Sequence, residues 1–245
     1  MSLLKGVFLI LGTWFLIYIS QIANPLLLPS PIQTFDSFVA YLSEVDYWKN
    51  ILATLYRCLI GLVLGILFGV PSGLILGSQK RLYSFFEFPV DFFRSLPVTA
   101  LFPLFLLIFG IGDYSKIAMV TVAVYFIMLI NSYYAIVQAT RQRRMMAKVF
   151  KASRFQIFRD IVFMESLPQI FVGIRLSLST SLIVVIVSEM FIGTEYGLGQ
   201  RVYDLYSKNL IPNLYANLII IGLIGYLINR LYYFVERKIV FWVGN

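Results

Sequence analysis

The sequence contains no histidine and only one cysteine, Cys58. A single cysteine excludes an intrachain disulfide, and the two shortages together exclude a Cys₂His₂ or Cys₄ zinc site. Histidine is also the commonest general base and transition-metal ligand. No G-x-x-x-x-G-K-[ST] loop occurs either, so the chain is not expected to bind ATP through a Walker motif of its own.

Charged residues are scarce as well. They make up 13% of the chain, whereas hydrophobic residues make up 60%. A soluble domain has about 25% charged and about 45–50% apolar residues. One water-soluble core could not bury this excess, so the composition indicates an integral membrane protein. The net charge of +8 is then typical of cytoplasmic loops and does not indicate a nucleic-acid partner.

Six apolar segments are candidates for transmembrane helices, each of which needs about 20 residues to cross a bilayer. The third is short and contains two prolines. The first is read as a retained helix because no small-x-small cleavage site follows it. The sequence therefore predicts an all-α polytopic membrane protein. The candidates lie near residues 6–24, 52–77, 96–111, 116–138, 169–192 and 212–235.

The positive charges predict the orientation of these spans. With the N-terminus in the cytoplasm, thirteen of the 20 lysines and arginines fall on the cytoplasmic side and four fall outside. By the positive-inside rule, both termini are then cytoplasmic. The basic loop at 139–167, between the fourth and fifth spans, lies on the same side.

This loop contains a helix-start signal. Ser153 and Gln156 fit a capping box, so a helix is expected to begin at Arg154. Pro168 suits the first turn of the next transmembrane helix. An amphipathic helix here could lie in the lipid interface or dock on a soluble partner, and periodicity does not separate the two. The predicted apolar stripe consists of Phe155, Phe158, Ile161 and Val162.

A second capping box, Ser30 with Gln33, opens another short helix. Its apolar residues include Phe35 and Val39, which lie on one helical face. We interpret it as an amphipathic elbow along the outer membrane surface, the alternative being a short packed loop helix.

Several longer motifs, together covering nearly the whole chain in order, resemble the permease subunits of bacterial ABC importers. The nearest subgroup handles nitrate, sulfonates, taurine and bicarbonate. The motifs are K-A-S-R-F-Q-I-F with a following L-P, G-I-R-L-S-L, S-E-M-F with G-L-G, L-L-P-S-P at 27–31, R-C-L-I-G at 57–61, G-V-P-S-G at 69–73, F-R-S-L-P at 93–97 and F-G-I-G-D-Y-S-K at 109–116.

The resemblance implies a type I ABC importer permease fold in a bacterial inner membrane. Residues 1–48 would form the first helix and the elbow, and residues 49–245 the permease core. Expected partners are ABC ATPase subunits, a second permease copy in a homodimer, an external solute-binding protein and the lipid bilayer. ATP and Mg²⁺ would be bound by the ATPase, and no cofactor by this chain. The solute would be small and mainly anionic.

In that family, the cytoplasmic loop carries a motif resembling E-A-A-x-x-x-G that docks on the ATPase. Here the glutamate position is Met145 and the glycine position is Lys151, and only Ala147 matches the three-residue core. A lysine held in the left-handed conformation that suits glycine would cost about 1–2 kcal/mol. The resemblance gives these ATPase-docking candidates: Ala147, Lys151, Ala152, Ser153, Arg154, Phe155, Gln156 and Phe158.

Glycine recurs at every fourth position along the second span, at Gly61, Gly65, Gly69, Gly73 and Gly77. Such a row gives a smooth face that another helix can approach closely. The alternative is the ordinary glycine enrichment of membrane helices. The pattern leaves open whether the contact lies within the chain or across a dimer.

The fifth span carries polar residues on one face: Ser177, Ser181 and Ser188, with Thr180 adjacent and Glu189 near the outer end. One interpretation is that these residues line the solute pathway. The alternatives are that Glu189 pairs with a basic residue or a helix N-terminus, and that the serines bond to backbone carbonyls.

Two other functions compete with an importer subunit. A membrane-embedded enzyme is disfavoured because there is no histidine and no cluster of intramembrane acids. An ion-coupled carrier is expected to have paired acidic sites and inverted halves, and the sequence shows neither. The sequence thus favours the permease subunit of an ABC importer.

Overall fold

The computed structural model describes residues 2–22, 24, 27–138 and 141–241, and every regular element within these ranges is helical. Four of the helices are long and apolar enough to cross a membrane. They correspond to the second, fourth, fifth and sixth predicted spans. These helices are α3 (Val45–Ser78), α6 (Asp113–Gln138), α9 (Met164–Ile192, continuous with a π-helix at Ile157–Phe163) and α11 (Ile211–Ile239).

The third predicted span, 96–111, is not one helix, so the prediction of a single transmembrane helix there is wrong. The segment Arg81–Ser95 of α4 (Lys80–Ser95) meets a second segment, Val98–Phe109, at 83°. Pro97 causes the break, because it disfavours helical geometry in the preceding residue. The second segment contains a 3₁₀ turn and the eight-residue α5 (Phe102–Phe109), which at about 12 Å is too short to cross alone.

These two segments, called here the bent pair, return the chain across the bundle. Gly61 of α3 lies against Val120 of α6, and Gly77 lies against Ile136. Contacts that advance together along both helices mean that α3 and α6 run parallel. The intervening residues must therefore bring the chain back to its starting side, so the bent pair acts as one crossing.

The first helix, α1 (Ser2–Ile19), begins and ends earlier than the predicted 6–24 segment, and residue 23 lies outside the described residues. Its apolar part, Lys5–Ile19, is shorter than the roughly 20 residues that a full span needs. The indole Nε1 of Trp14 donates to the carbonyl of Pro29 at 3.2 Å, and its ring stacks on Tyr215 of α11 at 5.9 Å. These contacts join α1 to the start of α11.

The predicted elbow forms α2 (Pro31–Ser43), which begins at the expected cap. The hydroxyl of Ser30 accepts from the backbone N–H of Gln33 at 3.1 Å. Tyr41 is buried, whereas Phe35 is exposed on the outside of the chain. One face of α2 therefore packs on α11 and the other is apolar and open.

The hydrophobic core lies between α3, α6 and α9. Met119, Val124 and Val185 are completely buried within it. The α9 helix runs antiparallel to α3, because Ser181 lies beside Cys58 while Glu189, further along, lies beside Thr54. A short helix, α10 (Leu198–Ser207), then packs across the end of α9.

At the opposite end of the bundle lie α7 (Arg141–Val149) and the three-residue α8 (Arg154–Gln156), which leads through the π-helix into α9. Pro168 therefore sits inside a continuous helix, and its predicted place in the first turn of a new helix is wrong. Proline supplies no N–H to the preceding turn, and a local change to π-type hydrogen bonding lets a membrane helix continue past it.

Candidate functional site

Two regions and one cavity are candidates for function. The first region is the described part of the basic loop, residues 141–163, called here the coupling segment. The second is a buried set of polar groups around Arg57, called here the Arg57 network. The cavity lies between them, beside the break at Pro97.

The coupling segment turns at the position of the family glycine. Lys151 has a φ of +56°, which is the left-handed region. The N–H of Ala152 donates to the carbonyl of Ala147 at 3.0 Å, the bond that closes a Schellman motif at the end of α7. A left-handed turn thus forms at a lysine, at a cost of about 1–2 kcal/mol.

The predicted capping box is confirmed in both directions. The N–H of Ser153 donates to the side-chain oxygen of Gln156 at 2.8 Å, and the N–H of Gln156 donates to the Ser153 hydroxyl at 3.2 Å. The helix begins at Arg154 as expected, although the side chain of Arg154 lies outside the described part of the structure. The capping box therefore fixes the start of α8 through contacts within one turn.

The predicted apolar stripe does not lie on a single face. Val162 is buried with Ile157 against Ile136 of α6, whereas Phe155 is 68% exposed and Phe158 is 38% exposed. The prediction assumed an α-helical period. In the π-helix the hydrogen bonds join residues five apart, which places Ile157 and Val162 on one side.

The outward side of the coupling segment is an exposed apolar patch with basic residues around it. The guanidinium of Arg159 lies 5.8 Å from the centre of the Phe155 ring, and Arg143 pairs with Glu165 at 2.8 Å. A rimmed apolar patch of this kind is typical of a protein-docking surface. Its apolar members are Met145, Met146, Val149, Phe150, Phe155 and Phe158.

The inward side of the segment is anchored to the bundle. Ile157 and Val162 pack with Ile136, and Leu74 of α3 joins the same cluster together with Ala147 and Ala152. The segment also continues into α9 without a loop. A push on the coupling segment would therefore act directly on α9.

The Arg57 network begins with a buried ion pair. A terminal nitrogen of Arg57 lies 2.5 Å from a carboxylate oxygen of Glu189, and the two residues are 4% and 0% exposed. The carboxylate also accepts from the Thr54 hydroxyl at 2.9 Å and from the N–H of Gly199, at the start of α10, at 2.9 Å. This matches the structural alternative for Glu189, a basic partner and a helix N-terminus together.

The remaining nitrogens of Arg57 reach two other parts of the chain. Its Nε pairs with Asp113 of α6 at 2.7 Å, and its terminal nitrogens donate to the hydroxyl of Thr194 at 2.9 Å and the carbonyl of Tyr196 at 2.8 Å. Every nitrogen of the guanidinium is thus bonded, which offsets the cost of burying the charge. The network ties α3, α6 and α9 to residues 193–197.

The start of α10 is held by α3 and α11 as well. The N–H of Gly197 donates to Asn50 at 3.0 Å, and the N–H of Leu198 donates to Thr54 at 2.9 Å. The side-chain amide of Asn217 donates to the carbonyl of Leu198 at 3.2 Å. The backbone at this turn is therefore satisfied by side chains from two transmembrane helices.

Four of the five predicted pathway residues do not face a path through this chain. Ser177, Ser181, Ser188 and Glu189 are completely buried, and only Thr180 lines the cavity. The hydroxyls of Ser181 and Ser188 donate to the carbonyls of residues three positions earlier, both at 2.8 Å. For these serines the packing alternative fits the geometry.

Arg57 and Asp113 were not identified as site residues from the sequence. A signal for Arg57 was present, because Asn50, Thr54 and Arg57 are spaced by four and three residues and so share one face of α3. A buried arginine in an apolar span needs a partner. The sequence does not say that Asp113 and Glu189 would be those partners.

The five glycines of α3 pack on α6 within the chain. A Cβ atom added at each would lie 2.5–2.8 Å from the Cβ of an α6 residue, far inside van der Waals contact. The two helices thus approach more closely than side chains would allow. The facing residues, in order, are Val120, Val124, Met128, Ser132 and Ile136.

The cavity has a volume of about 760 Å³ and is bounded by the bent pair, α6 and α9. Its polar lining includes Arg94, Thr99, Asn131 and Thr180, and its apolar lining includes Phe126. Within the described residues, no group of three or more acidic or cysteine side chains is placed to hold a metal ion.

Comparison with known proteins identifies the family. Residues 61–241 match the family described as binding-protein-dependent transport system inner membrane component. A probable ABC transporter permease protein of Brucella melitensis is 28% identical, over 95% of this chain and 93% of the relative. A putative aliphatic sulfonates transport permease protein of Bacillus subtilis is 26% identical, over 98% of this chain and 87% of the relative.

The fold agrees with this assignment. A chain from a bacterial alginate ABC transporter, solved in complex with an alginate-bound periplasmic protein, superposes with a TM-score of 0.69 at 16% identity, covering 98% of this chain and 95% of that chain. The likeness confirms the predicted type I ABC importer permease fold of a multi-pass membrane protein. The chain belongs to the family of inner membrane components of binding-protein-dependent transport systems.

Proposed function

We propose that this chain lines the solute pathway of an ATP-driven importer in a bacterial inner membrane. Two copies would assemble with two ATPase subunits and receive solute from an external binding protein. ATP and Mg²⁺ would be held by the ATPase, and this chain would catalyse no reaction. The relative from Bacillus subtilis is described as a permease for aliphatic sulfonates, which supports a small organic anion as the solute.

The coupling segment carries the proposal. It presents exposed apolar side chains, led by Phe155 and Phe158, on one side and is anchored to α3 and α6 on the other. Its direct continuation into α9 provides a rigid connection to the core. A partner that moved when it bound or hydrolysed ATP would therefore shift α9 and change which side of the pathway is open.

The experiment is co-purification of the chain with its cognate ATPase. Replacing Phe155 and Phe158 with aspartate puts two charges into the exposed apolar patch of the coupling segment, and we expect the complex to be lost. The matched control is Tyr206→Asp, because Tyr206 is an aromatic residue of similar exposure, 67%, at the opposite end of the bundle. The control should retain the complex.

An unchanged complex with unchanged stimulation of ATP hydrolysis in the double variant would contradict docking through this segment. It would instead favour the lipid-interface interpretation. Native mass spectrometry of the wild-type complex tests the stoichiometry. We expect two copies of this chain and two of the ATPase, and one copy beside a different permease would contradict the homodimer.

A further inference from the structure

The cavity beside the helix break has the size of a small-molecule site. Its volume of about 760 Å³ lies within the roughly 300–1,000 Å³ that is usual for ligand pockets. Leu176, Thr180 and Val184 line it from α9, the helix that continues from the coupling segment. A solute in this cavity would contact the element that the ATPase is proposed to move.

Arg94 is the charged residue in the described lining of the cavity. Its Nε pairs with Asp91 at 2.8 Å, while Asp91 itself lies outside the cavity lining. The two terminal nitrogens of Arg94 make no hydrogen bond in the described part of the chain, and the side chain is 48% exposed. A guanidinium with free terminal nitrogens is suited to a sulfonate or carboxylate group.

Much of the remaining cavity wall is apolar, beside the polar side chains of Thr99, Asn131 and Thr180. The rings of Phe93 and Phe126 stack with their centres 6.2 Å apart, and Ile127 and Val184 also line the cavity. Such a wall would not stabilise a bare inorganic anion but would bury a short hydrocarbon group. The lining is therefore complementary to a solute with an anionic head and a small apolar body.

We propose that Arg94 binds the anionic head of the solute during its passage and sets the preference for organic anions. This rests on the proposed function and adds a named site to it. The bound class is a short alkyl- or arylsulfonate or an equivalent carboxylate. Its head would lie against the terminal nitrogens of Arg94, and its apolar body against the aromatic wall.

The test uses the whole chain in phosphatidylcholine nanodiscs with radiolabelled ethanesulfonate as the probe. We expect saturable binding that uncharged ethyl methyl sulfone does not compete away. Arg94→Gln should weaken binding about tenfold or more, because it removes a charge-assisted contact. The matched control is Arg81→Gln, an exposed arginine on the same helix and outside the cavity lining, which should leave binding unchanged.

A second variant separates binding from a structural role of the ion pair. Asp91→Asn removes the partner of Arg94 but leaves its charge, so the affinity for ethanesulfonate should stay the same or rise. If Asp91→Asn and Arg94→Gln weaken binding equally, Arg94 acts by holding α4 in place and the proposal is overturned. Equal competition by the uncharged sulfone would overturn it too.

Lipid headgroups carry the same chemistry and are tested in nanodiscs containing phosphatidylglycerol. If this lipid abolishes ethanesulfonate binding, the occupant is a lipid phosphate and the solute site is refuted. Failure here is distinguishable from failure of the proposed function, because co-purification with the ATPase does not depend on Arg94. An intact complex without saturable binding would remove only this site.

Discussion

The two ends of the bundle treat charge in opposite ways. In the Arg57 network, Arg57 and Glu189 are buried and their polar atoms are bonded to side chains and backbone. In the coupling segment, Arg159 is exposed and so are the aromatic rings beside it. The Arg57 network bonds its own charged groups, whereas the coupling segment leaves apolar surface uncovered.

This difference indicates which end holds the chain's shape and which end has surface available for the proposed partner. Opening the Arg57 network would leave a buried charge without its counter-ion, so the network favours one arrangement strongly. Covering the exposed patch of the coupling segment with a partner would be favourable, because it would remove apolar surface from water. The close α3–α6 contact at the glycine row and the continuous α9 connect the two ends.

Removing the carboxylate of the Arg57 network should have the largest effect. Glu189→Ala leaves Arg57 buried without its main partner and should lower the free energy of unfolding by about 3–5 kcal/mol. Thermal unfolding of the purified chain in detergent, followed by tryptophan fluorescence, measures it. Ser177→Ala is the control, because its buried hydroxyl makes no hydrogen bond in the described part of the chain. Equal midpoints for the two variants would show that the network does not stabilise the fold.

Disturbing the close contact between α3 and α6, which connects the two ends, should have the next largest effect. Gly65→Ala would place a methyl group 2.5 Å from the Cβ of Val124, which forces α3 and α6 apart. We expect a loss of about 1–3 kcal/mol in the same unfolding measurement. Gly222→Ala in α11 is the control, since nothing lies within 4 Å of an added Cβ there. If both substitutions are neutral, the two helices are not in close contact.

Relieving the strained turn of the coupling segment should raise stability, whereas the two changes above lower it. Lys151→Gly replaces a residue at a φ of +56° with one that adopts this conformation freely, so the turn should be stabilised by about 1 kcal/mol. Slower hydrogen exchange at the amide of Ala152 would report it. Lys148→Gly, inside α7, should destabilise instead. Faster exchange in Lys151→Gly would mean that the lysine side chain has a compensating contact.

The smallest effect on stability is expected on the exposed patch itself. Phe155→Asp should change the free energy of unfolding of the isolated chain by less than about 0.5 kcal/mol, because the ring is mostly exposed. If the variant keeps its stability but loses the ATPase complex, the ring acts in docking and not in folding. A loss of more than about 2 kcal/mol would show that the ring packs within the chain and would remove the contrast between the ends.

Local patterns in the sequence predicted much of this arrangement. The long apolar runs gave the four principal spans, because crossing a bilayer demands length and hydrophobicity. Ser153 and Gln156 predicted a helix start correctly, since both partners of a capping box lie within one turn. The glycine spacing in α3 predicted a close-packing face but not its partner.

What the sequence determined by itself was the membrane class, the approximate helix positions and the capped start of the coupling helix, all of which depend on neighbours along the chain. Only the tertiary structure decided that Glu189 pairs with Arg57, that α6 fills the glycine face, and that Ile157 and Val162 turn inward. Those outcomes depend on which helices lie side by side and on a change from α- to π-type hydrogen bonding. Periodicity assumes one regular helix and contains no information about its neighbours, so it could not give them.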